Sequence, residues 1–228
     1  VPAVCSCDFD RVSRFYPFLE RLVFGDALER SRASFINQVA TARQILLIGE
    51  GNGRFLELAL GIVPSTAGLV ILDPSRRMLE AARRRGERHP RGSRTNFVCG
   101  DGRTWSPGRF AFDLFVTHFV LDLYTPANQE RLIANLDAHA ATEAYWIDVD
   151  FVPDPPRRAH QALMWLQYCF FRVVAAVEAD RLYGSDALLR RRRWELVDTR
   201  QHAGGLVQAR LWHRASGKGC AEDDIRSV

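Results

Sequence analysis

The sequence predicts an α/β fold built on a parallel sheet, and three observations carry that reading. Apolar runs at residues 45–48, 69–72, 97–99, 114–117 and 145–149 alternate with helical segments. The runs lack polar alternation, as expected of strands covered on both faces. Gly49 to Gly53, Asp73, Asp101 and His118 all fall just beyond such runs, at the carboxyl ends where parallel sheets place their ligands.

Residues 8–41 precede the first run and read as helical, with Phe15, Phe18, Leu19, Leu22 and Val23 recurring at three- and four-residue steps. Pro17 divides them, and Gly25 suits a helix end. Asp26-Ala-Leu-Glu29 resembles a capping box, which predicts a further helix running through Phe35 and Ile36. A sheet core does not need this preface, so residues 1–43 are expected to form a helical lid and 44–214 the core. Helices near 53–61, 75–88 and 126–140 are long enough for right-handed crossovers between parallel strands.

Residues 156–183 predict a long apolar helix inserted in the core, including Leu163, Leu166, Phe170, Val173 and Val177. Its uninterrupted apolar stretch is shorter than the roughly 20 residues of a membrane span, and Gln167 and Arg172 break it, so no span is expected. Residues 194–202 and 206–213 alternate in polarity around Ala203-Gly-Gly205, the pattern of a terminal hairpin. Residues 215–228 are expected to be a disordered tail.

The chemistry concentrates in Ile45-Leu-Leu-Ile-Gly-Glu-Gly-Asn-Gly53 and in Asp73, which closes the run Leu69-Val-Ile-Leu72. Glycines after a buried strand let the backbone pass close to a ligand. A carboxylate offers only acceptors and the ribose diol two donors, so this pairing points to an adenosine-bearing cofactor. The dinucleotide pattern Gly-x-Gly-x-x-Gly fails, because its third glycine position is Arg54.

The actual spacing, Gly49-x-Gly51-x-Gly53, resembles the first motif of the class I S-adenosylmethionine-dependent methyltransferases. Asp73-Pro-Ser-Arg-Arg-Met-Leu resembles that family's second motif, Asn96-Phe-Val-Cys-Gly-Asp101-Gly its third-strand motif, and Phe112–Asp122 its fourth strand. The resemblance is close over about residues 44–150. It implies a Rossmann-like, seven-stranded, mostly parallel sheet in the order 3-2-1-4-5-7-6, its last strand antiparallel, with S-adenosyl-L-methionine as cofactor. It implies cofactor contacts from Gly49, Glu50, Gly51, Asn52, Gly53, Asp73, Pro74, Met78, Asp101, Gly102, Thr117 and His118. Within that set Asp73 would hold the ribose and Asp101 the adenine amino group. One departure is Leu47, where the family usually carries an acid, and Glu50 is the candidate substitute.

For catalysis the sequence offers His118 as a base near the methyl, or as a lining residue that acts through its backbone. Asp122 would orient His118, contact the acceptor, or start the next helix. Tyr16, Phe24, His160 and Trp165 are candidate walls of the acceptor pocket, with packing or surface positions as their other reading. Asp148 and Asp150 raise the question of magnesium, but a hard cation needs more oxygens than Thr117 and His118 supply, so no metal is expected.

The 228 residues, 47% hydrophobic, suffice for one sizeable core. The net charge of +4 comes from arginine, with Lys218 the only lysine. Arg83–Arg85 and Arg190–Arg193 sit at predicted helix ends, where they complement the macrodipole, so no nucleic-acid partner is expected. The five cysteines, Cys5, Cys7, Cys99, Cys169 and Cys220, imply no disulfide framework, and Cys99 is expected inside a buried strand. Cys5-x-Cys7 lacks further metal ligands. With no secretory leader pattern, a cytoplasmic setting is expected. The leading function is methyl transfer to a small, aromatic or apolar acceptor, since both flanking helical segments are rich in aromatics. A nucleic-acid or protein methyltransferase and a non-catalytic binding module are the alternatives, and a homodimer is left open.

Overall fold

The computed structural model describes residues 26–153 and 181–214. Seven strands form one sheet: β1 (Gln44–Ile48), β2 (Gly68–Asp73), β3 (Thr95–Cys99), β4 (Phe112–His118), β5 (Ala140–Phe151), β6 (Glu195–His202) and β7 (Val207–Arg214). Their spatial order is β3-β2-β1-β4-β5-β7-β6. β1 to β5 pair in parallel, while β7 runs antiparallel to β5 and to β6. This is the Rossmann-like fold of the methyltransferases, as expected.

Five helices flank the sheet among the described residues: α1 (Ala27–Arg32), α2 (Arg54–Ile62), α3 (Arg76–Gly86), α4 (Pro126–Asp137) and α5 (Asp186–Arg191). One sheet face, with Leu47, Ile71 and Val116, packs on Leu28 of α1, Phe55 and Leu56 of α2 and Leu79 of α3. The other face, with Leu46, Phe115 and Trp146, packs on Leu132 and Leu136 of α4, Leu189 of α5, and Trp194. Each such fully buried side chain contributes roughly 1.5–3 kcal/mol, and the unalternated strands exist because both faces are covered. Helix starts follow local chemistry. Ser75 caps α3 by accepting from the Met78 amide, and Pro126 occupies the first turn of α4.

Three expectations need correction. The Asp26–Glu29 capping box does not form, since Asp26 makes no side-chain cap. The helix also ends at Arg32 rather than continuing through Ile36. Ser31 and Ser34 hydroxyls donate back to the carbonyls of Leu28 and Arg30, and Phe35 turns left-handed at φ +59°. Cys99 is exposed, because β3 is an edge strand covered on fewer sides than its neighbours. β5 is twelve residues long, its first half more exposed than its second.

The predicted helical segment 8–24, most of the predicted insertion 156–183 and the predicted tail 215–228 lie outside the described residues. So do Tyr16, Phe24, His160 and Trp165. No helix among the described residues is long and apolar enough to cross a membrane.

Candidate active site

The carboxyl edge of β1, β2, β3 and β4 carries the candidate site. Gly49, Gly51 and Gly53 all have positive φ, at +63°, +64° and +83°, so the turn after β1 winds through the left-handed region. Two of them differ instructively. A Cβ on Gly49 would lie 2.5 Å from Val120 Cγ2, whereas one on Gly51 would meet nothing within 4 Å. The turn therefore has a packed side against the chain leaving β4 and an open side at Gly51.

Glu50 turns its carboxylate onto the first turn of α2, accepting from the amides of Phe55 at 2.7 Å and Leu56 at 3.0 Å. This supplies acceptors that the left-handed Gly53 cap cannot. Burial pushes the Glu50 carboxyl up to about 7, against the pull of those amides and of the Arg32 charge. Asp73, buried at the end of β2, accepts from the Gly51 amide at 3.3 Å and the Ser75 amide at 2.8 Å. Its burial raises it to about 6, less the effect of those two amides. Each oxygen keeps further lone pairs, so the residue can still accept from a diol.

Asp101 follows β3 and is gripped by Arg103. Its Oδ1 accepts from the Arg103 amide at 2.9 Å and from Nε at 3.0 Å, and its Oδ2 from Nη2 at 2.7 Å. Burial raises the Asp101 carboxyl, but Arg103 outweighs it and holds the group below the usual carboxylate range. Gly102 is a packing position, since a Cβ there would come 2.7 Å from Leu132 Cδ1 of α4. Asn135 of α4 fixes the same loop by donating to the carbonyls of Gly102 and Trp105. Pro74, Met78 and Asn52 are half-buried around this edge.

Thr117 does not turn its side chain toward the glycine turn. Its hydroxyl donates to Asp148 Oδ1 at 3.3 Å and accepts from Trp146 Nε1 at 2.9 Å, on the sheet face packed by α4 and α5. Only its backbone remains for a cofactor. His118, one residue on, faces the opposite side, where its ring meets Phe55 edge-on at 4.6 Å. It is buried, and neither ring nitrogen has a hydrogen-bond partner among the described residues. Burial, helped by the Arg32 charge, lowers it to about 3, so the imidazole is neutral at every physiological pH.

Asp122 makes no hydrogen bond to the His118 ring. It lies buried with Asp148, Asp150 and Arg210 beneath the segment that follows β4. Asp148 is paired to Arg210 Nη2 at 2.5 Å, and Arg210 Nη1 also holds Asp186. Asp148 is thus engaged by a guanidinium, Thr117 and Ser185. Burial and the neighbouring acids push Asp122 up to about 7 and Asp150 well above the usual range.

Sequence reasoning missed Val120, Arg103 and Arg210. It singled out Asp148 and Asp150 but not the arginine that pairs in register with Asp148 on β7.

The residues present fit an adenosine-bearing cofactor. Two carboxylates end adjacent strands, and the turn beside them is open at Gly51, where a side chain would fill the space a ligand needs. Fold and glycine turn are those that the resemblance to the S-adenosylmethionine-dependent methyltransferases implies. Residues 45–143, somewhat under half of the chain, match the family model described as a methyltransferase domain.

Among solved structures the chain is similar to the N-methyltransferase NodS from Bradyrhizobium japonicum WM9 in complex with S-adenosyl-L-homocysteine. The TM-score there is 0.60 and the identity 18%, over 82% of this chain and 87% of that one. Magnesium protoporphyrin IX methyltransferase from Synechocystis PCC 6803, with the same product bound, gives a TM-score of 0.67 at 16% identity, over 91% and 94%. The 1,6-didemethyltoxoflavin-N1-methyltransferase from Burkholderia thailandensis gives 0.63 at 18%, over 91% and 87%. No curated protein sequence matches the chain.

Proposed function

We propose that this chain transfers a methyl group from S-adenosylmethionine to a small, aromatic or apolar metabolite. One observation carries the reading: Asp73 and Asp101 close neighbouring strands beside a left-handed glycine turn whose open side lies at Gly51. In this reading Asp73 accepts from the ribose, Asp101 accepts from the adenine amino group, and Gly49 to Gly53 with Asn52 pass along the methionine tail. Pro74 and Met78 border the base, and Thr117 and Gly102 contribute backbone only.

The cofactor supplies a methyl already activated on a positively charged sulfonium, so the protein's main task is alignment. Holding two reactants in line is worth about 7–11 kcal/mol in favourable cases, more than one general base usually adds. The Glu50 and Asp73 carboxylates, when ionised, place negative charge on the cofactor side of the site. His118 serves as a neutral hydrogen-bond acceptor for the methyl acceptor's proton rather than as a strong base.

The small-molecule partner is favoured over nucleic acid because the arginine runs are used locally. Arg83–Arg85 end α3, Arg85 pairs with Glu57 and Arg192 with Asp137. A cytoplasmic setting, a helical lid from residues 1–43 with Tyr16 and Phe24, and an acceptor wall from His160 and Trp165 belong to the same proposal.

Calorimetry with S-adenosylmethionine, followed by labelled-methyl transfer to a panel of phenols, amines and carboxylic acids, tests it. Saturable binding with transfer to a small acceptor is expected. Absence of binding at millimolar cofactor would overturn the reading, and binding without transfer to any substrate class would leave a binding module.

A further inference from the structure

The Asp101–Arg103 pair is built more firmly than a surface ion pair. The guanidinium reaches Asp101 through both Nε and Nη2, and the Arg103 amide adds a further bond. The main chain is folded around the same residue, with the amides of Thr104 and Trp105 donating to the Asp101 carbonyl at 3.0 and 2.8 Å. Arg103 also lies over the Tyr124 ring, 5.2 Å from its centroid. Tyr124 belongs to the segment between β4 and α4, so Arg103 straps together the two loops that bound the base side of the cleft.

We propose that Arg103 is a positioning residue that keeps Asp101 an acceptor-only carboxylate, and that it thereby makes the pocket select an adenine base over its deaminated, hypoxanthine counterpart. The inference rests on the reading that Asp101 meets the base. An adenine amino group donates, and an ionised carboxylate can only accept, so the two match. Hypoxanthine presents a carbonyl oxygen at the same position, which an ionised Asp101 repels and a protonated Asp101 could bond.

Burial alone would raise Asp101, and the side chain, amide and charge of Arg103 reverse that. Around it, Tyr124 backs the guanidinium, and Asn135 of α4 is spent on the Gly102 and Trp105 carbonyls. Asp73 of β2 is directed at the Gly51 and Ser75 amides. A lysine at position 103 keeps the charge but loses the planar fork, so it should restore the effect only in part.

The test is calorimetric titration of wild type, Arg103→Leu and Arg103→Lys with S-adenosylhomocysteine and with S-inosylhomocysteine, from pH 5 to pH 8. Wild type should prefer the adenine compound by about 10- to 100-fold throughout, the range for a hydrogen bond to a charged group. Arg103→Leu should keep that preference at pH 8 and lose part of it toward pH 5, with Arg103→Lys between the two. In the unliganded protein, carboxyl-carbon NMR should find Asp101 titrating below the usual range in wild type and higher in Arg103→Leu, which keeps the residue-103 amide bond but loses the guanidinium.

Selectivity that is equally independent of pH in all three proteins, or coincident Asp101 titrations, would overturn the proposal. If Arg103→Leu fails to fold, the same comparison between wild type and Arg103→Lys decides, with no change in the lysine variant counting against it. Failure of wild type to bind either compound would instead remove the cofactor reading beneath it.

Discussion

The Val120 amide donates to Asp150 Oδ1 at 3.2 Å, and this bond ties the chain leaving β4 to the end of β5. Val120 is also the residue whose side chain fills the space beside Gly49. The buried acids are thereby connected, through one valine, to the packed side of the glycine turn. Three buried carboxyls, Asp122, Asp148 and Asp150, share this region with the buried Arg210, and a bond between Asp122 and Asp150 is only favourable when a proton lies between them.

That arrangement fixes a pH dependence of stability. An unfolded Asp carboxyl titrates near 3.8, while Asp122 is raised to about 7 and Asp150 is raised as well. Between those values the folded chain retains protons that the unfolded chain has released, so stability falls as the pH rises from about 4 to about 7 and levels off for Asp122 above that. Asp150→Asn keeps an acceptor for the Val120 amide and gains a donor toward Asp122. Urea denaturation at pH 5, 6 and 7 should show a shallower decline in this variant than in wild type. Parallel slopes would mean that the pair carries no shared proton.

The two glycines of the turn should respond differently to alanine. Gly49→Ala drives a methyl into Val120, whose branched side chain has little rotamer freedom to move aside, and adds left-handed strain, so a clear drop in melting temperature is expected. Gly51→Ala adds only the backbone strain, about 1–2 kcal/mol, because its Cβ meets nothing. Its loss should appear in S-adenosylmethionine affinity, since the methyl occupies the open side of the turn. A Gly51→Ala protein that binds the cofactor as tightly as wild type would place the ligand elsewhere.

Strands and glycine turn were legible because an unalternated apolar run followed by glycine has few other uses in a chain of this size. What sequence could not assign was facing. Thr117 and His118 are consecutive, and on a strand covered on both sides neither face is marked by polarity, so the hydroxyl's commitment to Asp148 and Trp146 left no trace in the pattern. The helix after Asp26 stopped short of Ile36 for a different reason, because the Ser31 and Ser34 hydroxyls compete for its last carbonyls. Arg103 was readable as a neighbour of Asp101, but spacing alone does not show that a guanidinium folds back onto an acid two residues earlier.

Glu50 stands where it can replace the acid missing at Leu47, and its two bonds to the start of α2 define what replacement means. Glu50→Gln retains one acceptor oxygen for the Phe55 and Leu56 amides and should change stability little. Glu50→Ala leaves both amides without it and should cost about 1 kcal/mol, the usual loss on removing a helix cap. Thermal melts of both variants, read beside their S-adenosylmethionine affinities, separate the cap from a ligand contact. Unchanged affinity in both would make Glu50 a helix cap and nothing more.

His118 sets the last prediction. A neutral imidazole pressed edge-on against Phe55, held down to about 3 by burial, does not change charge between pH 5 and pH 9. Turnover should therefore show no limb near the ordinary imidazole value of 6.5 that depends on this residue. In the proposed reading His118 contacts the acceptor while Asp73, Asp101 and the turn hold the cofactor, so His118→Ala should lower kcat more than S-adenosylmethionine affinity. His118→Asn, which restores a neutral acceptor, should recover part of that loss. A limb near 6.5 that vanishes in His118→Ala would show the ring titrating in solvent, contrary to its burial. Equal losses of kcat and cofactor affinity would make it a wall of the cofactor pocket, and the proton of the methyl acceptor would then need another partner.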